Sequence, residues 1–73
     1  MRTPEQIVDA ALAHSARRSP EYRMGMLSVI RFRMTGRRTP CPYSLGTSQA
    51  DAYFAGNDRG HDLWRKMQQE KAA

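Results

Sequence analysis

Two tetrapeptides near the start of the chain, Thr3-Pro4-Glu5-Gln6 and Ser19-Pro20-Glu21-Tyr22, constrain the fold more than any other feature. Each places a hydroxyl side chain at an N-cap, a proline at the first helical position, where its missing N–H is no loss, and an acid in the first turn. A third opening of capping-box type, Ser48-Gln49-Ala50-Asp51, follows a proline-rich loop. Three helix starts in so short a chain leave no room for a sheet. The expected fold is an all-α, three-helix domain with helices at about residues 3–18, 20–35 and 48–69, joined between the last two by a Pro-Cys-Pro-Tyr loop.

The apolar residues support this division. Ile7, Val8, Ala11, Leu12 and Ser15 form one stripe of the first helix, which ends at Arg17-Arg18, where positive charge suits the C-terminal dipole. In the second segment Tyr22, Met26, Val29, Ile30 and Arg33 share a face, and Gly36 with Pro40 beyond supplies the stop. The stretch VIRFRM alternates enough to imitate a strand, but a lone strand would have no partner, so helix is preferred. The third segment carries Ala50, Tyr53, Phe54, Asn57, Gly60, His61, Trp64 and Met67 or Gln68 at helical period. Tyr53, Phe54, Gly56, Gly60 and Trp64 are its expected packing residues. Gly56 and Gly60 each cost on the order of 1 kcal/mol against alanine in a continuous helix, so they mark either a smooth groove for another backbone or a bend.

With 73 residues the chain forms one domain, with residues 1–19 as an accessory helix and 20–73 as a helix-loop-helix unit. A chain of this size buries only about 60% of its unfolded surface. A marginal core invites a partner, either another protein or a second copy. A single cysteine excludes an intramolecular disulfide and a cysteine-rich zinc framework. No apolar run is long enough to span a bilayer, and the N-terminus lacks a signal-peptide pattern, so a cytoplasmic protein is expected.

Charge is unevenly placed. Residues 1–42 hold eight arginines against three acids, whereas residues 43–73 are balanced. Seven arginines lie between positions 17 and 38 with Glu21 as the single acid among them. With acids missing from the run, salt-bridge lacing is not expected to account for it, and the run reads as a surface for phosphate or for an acidic protein. Arginine's flat fork binds phosphate bidentately and stacks on bases. The candidate binding residues are Arg23, Arg31, Arg33, Arg37, Arg38 and Tyr43.

Cys41 lies between Pro40 and Pro42. The prolines force Thr39 and Cys41 into extended conformations, so residues 39–43 read as a stiff corner between helices, a structural loop of Pro40, Cys41, Pro42 and Tyr43 with Cys41 tucked inward and Tyr43 covering the core edge. No pair among Cys41, His14 and His61 has zinc-ligand spacing; Arg37 and Arg38 could lower the pKa of the thiol and folding could bring His61 close to it as a base, but no further general acid or oxyanion device accompanies them. The sequence is therefore read as having no catalytic residue, no metal and no cofactor. His14 reads as a helix-end residue, and His61 as hydrogen-bonded or exposed near Asp58 and Asp62.

Gly36, Arg37, Arg38, Cys41-Pro42-Tyr43 and Ala52-Tyr53-Phe54-Ala55-Gly56, with Arg59-Gly60 after them, resemble the ribosome modulation factor family, which also includes CrpP-like small plasmid and phage proteins. The resemblance covers about residues 22–67 and leaves the first helix as an addition; Asn57 stands where the family tends to carry tryptophan. It implies a helix pair that docks on ribosomal RNA and promotes ribosome dimerisation and hibernation, with Arg37, Arg38, Cys41, Pro42 and Tyr43 in or beside the RNA contact. The chain has no phosphate-cradling glycine loop and no metal-binding carboxylate pair, so no enzymatic activity is carried over. The expected function is a small basic RNA- or ribosome-binding regulator of bacterial or phage origin. The alternative is a phage or mobile-element protein that inhibits a host protein through the same arginines, and a DNA-binding helical module is a third reading.

Overall fold

The computed structural model describes residues 2–13 and 17–72. They form α1 (Pro4–Leu12), α2 (Pro20–Thr35) and α3 (Ser48–Ala72), with no strand among the described residues. VIRFRM is helical throughout.

Local chemistry sets most of these boundaries. The Thr3 hydroxyl accepts from the Gln6 amide at 3.1 Å while the Thr3 amide donates to Gln6 Oε1 at 2.9 Å, a complete capping box. Ser19 accepts from the Tyr22 amide at 3.2 Å. Gly36 adopts φ 79° and its amide donates to the Phe32 carbonyl at 2.7 Å, closing α2 in the left-handed conformation that glycine tolerates best. The cap of α3 is one residue earlier than expected: Thr47, not Ser48, accepts from the Ala50 amide, at 3.2 Å.

Helix α1 is shorter than the expected span. It ends at Leu12, and Arg17, Arg18 and Ser19 are not helical. Pro20 accounts for the extended backbone of Ser19 before it, with ψ 157°, and no helix could run through that position into α2. His14 and Ser15 lie outside the described residues.

Helix α1 runs antiparallel to α2, since Glu5 pairs with Arg31 and Asp9 with Arg23. Helix α3 runs in the same direction as α2: Gly25 meets Tyr53 and Asn57, and Gly60 meets Met26 and Val29 further along. Residues 36–47 must therefore travel back along α2, whose 16 residues span about 24 Å. The proline-flanked segment is suited to this because Pro40 and Pro42 disfavour helical backbone at Thr39 and Cys41, and the Ser28 hydroxyl donates to the Thr39 carbonyl at 3.4 Å on the way. It is a return strap rather than a tight corner.

Two glycines determine how closely α2 and α3 approach. A Cβ on Gly25 would stand 2.0 Å from the Tyr53 carbonyl oxygen, and one on Gly56 would stand 2.0 Å from the Tyr22 carbonyl oxygen. The contact is reciprocal, built from Tyr22-x-x-Gly25 on one helix and Tyr53-x-x-Gly56 on the other. Backbone touches backbone. Because α3 is continuous, Gly56 and Gly60 form a packing groove and not a bend. Around this crossing Ile7, Val8, Met26, Leu27 and Ile30 form the core, with Tyr22, Met34, Leu63, Trp64 and Met67 packed against it. Tyr53 is buried, but its neighbour Phe54 is 42% exposed, which corrects its expected packing role. A helix turns about 100° per residue, so only one of two adjacent aromatics can face the crossing.

Candidate nucleic-acid interface

The arginines that are contiguous in sequence separate in space. Arg23 donates to Asp9 with Nη2–Oδ1 at 2.9 Å, and Arg31 pairs with Glu5. The Arg31 hydrogen bond, helped by the Glu5 backbone amide, holds the Glu5 carboxyl below its usual value. The expectation that ion pairing could not account for the arginine run is thus corrected for two members. Their acids come from α1, across the helix pair rather than from within the run.

Arg18 lies over the Tyr22 ring, 4.9 Å from its centroid. Arg33, in the last turn of α2, lines a groove with Met34 and Trp64, away from the cysteine strap. Arg37 and Arg38 follow Gly36 and are exposed at the start of the strap. Neither takes part in an ion pair among the described residues. The Arg37 amide is held by Thr35 Oγ1 at 3.2 Å, and the same hydroxyl donates to the Arg31 carbonyl at 2.7 Å. The Arg38 guanidinium lies 5.3 Å from the Phe32 ring centroid, a cation–π distance.

Arg38 and Phe32 form one side of an open groove of about 450 Å³ between α2, the strap and α3. Thr39, Pro40 and Cys41 supply the strap side, and Phe54, Asn57 and His61 supply the α3 side. Cys41 is partly buried, and its Sγ lies 3.6 Å from the Tyr43 carbonyl oxygen, within reach of a weak S–H donation. Tyr43 packs edge-on against buried Tyr53, with centroids 6.0 Å apart and planes at 66°, and Tyr53 does the same with Phe54 at 5.9 Å and 84°. These contacts fit the structural reading of the loop and place Tyr43 inward, beside Tyr53. The side-chain amide oxygen of Asn57, Oδ1, is buried with no hydrogen-bond partner.

This arrangement brings together Arg38, Cys41 and the exposed edge of Phe54, with Arg37 adjacent to Arg38 in the chain, and leaves Arg23, Arg31 and Arg33 elsewhere. Phe32, Asn57 and His61 join the groove without having been marked as binding residues. His61 is partly buried there, and Asp62 pairs with Arg65 rather than with it. A guanidinium held over one aromatic ring, opposite a second ring open to solvent, offers a charge for phosphate beside a flat surface for a base. Among the described residues no three His, Cys, Asp or Glu side chains gather at one place, and no helix is long and apolar enough to cross a membrane. Comparison of the chain with protein-family models, curated proteins and solved structures gives no match.

Proposed function

We propose that this chain is a small basic RNA-binding regulator that acts on the ribosome in the bacterial cytoplasm, by binding and not by catalysis. The observation that carries the reading is the juxtaposition of exposed Arg38, with exposed Arg37 next to it in the chain, and the groove walled by Phe32 and Phe54. Phosphate contact and base stacking require those two chemistries side by side. The likeness of Gly36 to Tyr43 and of Tyr53 to Gly60 to ribosome modulation factor supports ribosomal RNA as the target and hibernation or translation control as the outcome.

Sedimentation of the tagged protein with a bacterial lysate on a sucrose gradient tests this reading. Comigration with ribosomal particles, lost at high salt, is expected. Replacing Arg37 and Arg38 together should lower the slope of log K against log salt by about 1.4, two single-strand phosphate contacts. A slope unchanged by the double substitution removes these residues from the interface. A nuclease-resistant complex with one protein at the top of the gradient replaces the ribosome reading with the host-protein one.

A further inference from the structure

A second groove, of about 620 Å³, lies where α1 begins and α2 ends, against the C-terminal half of α3. Its floor is Ile7, Met34, Trp64 and Met67, and its rim carries Arg2, Arg33 and Lys71 against the single acid Glu70. We propose that this groove docks an acidic, amphipathic helical segment of a partner protein. Ile7 is buried, but Met34, Trp64 and Met67 are only partly so, leaving apolar surface that the described residues do not cover. Methionines adapt to the shape of an inserted side chain, and tryptophan is the residue most often found anchoring a protein interface.

The rim selects the occupant. Arg2, Arg33 and Lys71 are exposed and enter no ion pair among the described residues, so a segment bearing carboxylates beside its apolar anchors meets complementary charge on approach. A second copy of this chain, with a net charge of +5, would bring the same basic rim against it. Nucleic acid would match the rim but not the methionine floor. The helix-in-groove mode, with anchors at i, i+3 or i+4 and i+7, suits a trough lying along the C-terminal half of α3, from Trp64 to Lys71.

Trp64 is the only tryptophan in the sequence and reports directly on the site. The probe is a synthetic helical peptide with leucines at that spacing and glutamates elsewhere, compared with the same peptide carrying lysines for glutamates and with an oligouridylate. A saturable blue shift of Trp64 emission with the glutamate peptide alone is expected. Replacing Arg33 and Lys71 together with glutamate should weaken that binding at least about tenfold, with far-UV circular dichroism showing the helices retained, since both side chains are exposed. The proposal is overturned by the absence of a saturable shift, by an equal response to the lysine peptide, or by a response to the oligouridylate in place of the peptide. It is equally overturned if the emission shifts with protein concentration alone, which assigns the groove to a second copy.

Discussion

Gly25→Ala tests the geometry on which the helix pair rests. In an exposed helix the change would add about 1 kcal/mol of stability through propensity alone. Here the new Cβ would sit 2.0 Å from the Tyr53 carbonyl oxygen and 2.9 Å from its carbon, and both belong to backbone that cannot rotate aside. The helices must separate by more than an ångström, loosening the contacts of Met26 and Tyr53 along the crossing. Overpacking of this kind costs about 1–3 kcal/mol and more where nothing yields, so a net loss of about 3 kcal/mol is expected. A domain of this length has roughly 4–11 kcal/mol in total. Thermal unfolding followed by circular dichroism should therefore show a fall of about 12–24 °C. Gly56→Ala should match it, because its Cβ would meet the Tyr22 carbonyl oxygen at the same 2.0 Å. Gly60→Ala, with nearest contacts of 3.0 Å to a side chain and 3.2 Å to backbone, should be much milder. The double Gly25→Ala, Gly56→Ala chain should lose less than the sum, since one separation admits both methyls. A Gly25→Ala protein that melts higher than the parent would refute the close crossing.

Three further outcomes follow from the caps, the orphaned amide and the α1 ion pair. Thr47→Ala should lose about 1 kcal/mol and Ser48→Ala almost nothing in denaturant titrations, because only Thr47 caps α3. Asn57→Ala should raise stability by about 1 kcal/mol, since it removes a buried unpaired acceptor and improves helix propensity, and a loss larger than that would show that the side chain's packing outweighs both. The folded-state pKa of Glu5 lies below its usual value of 4.5, so the stabilisation from its pairing is present above that value and is lost as pH falls through the folded pKa. Glu5→Gln should flatten stability against pH in that acid window, and an unaltered acid limb would show that Arg31 does not hold the carboxylate.

What the sequence disclosed depended on how local the cause was. Helix α2 has the expected span, 20–35, because Ser19-Pro20 and Gly36 act within a turn of their own positions. Helix α1 has no glycine or proline between Ala13 and Arg18, and the arginine pair read as its end lies beyond the observed end at Leu12, because basic residues favour a C-terminus without fixing its position. Gly25 drew no notice because a single helical glycine reads only as a weakness. Its purpose lies in Tyr53 and Gly56, far along the chain, although the repeated Tyr-x-x-Gly spacing was a signal available in the sequence. The second groove was invisible for the same reason: Ile7, Met34 and Trp64 come from three different helices.

The largest difference concerns charge, and it carries a quantitative consequence for binding. Seven arginines between positions 17 and 38 read in sequence as one basic surface. Helical geometry turns Arg31 and Arg33 about 200° apart, so they cannot share a face. Arg31 and Arg23 meet α1 carboxylates, Arg33 faces the second groove, Arg18 lies on Tyr22 and exposed Arg17 stands before α2, which leaves Arg38 at the first groove with Arg37 next to it in the chain. Helix α1 therefore does more than add apolar surface: Glu5 and Asp9 neutralise the middle of α2 and confine the unpaired arginines of the run to its two ends. At about 0.7 per neutralised phosphate, two or three contacts give a log–log salt slope of about −1.4 to −2 for single-stranded RNA, whereas all seven would give about −5. Filter binding of an oligouridylate across a salt series distinguishes the two. Glu5→Gln with Asp9→Asn should steepen the slope by about another 1.4, because two guanidinium groups lose their carboxylate partners. If the parent protein already shows the steeper value, the α1 pairs open on binding and the confinement of charge argued from them fails.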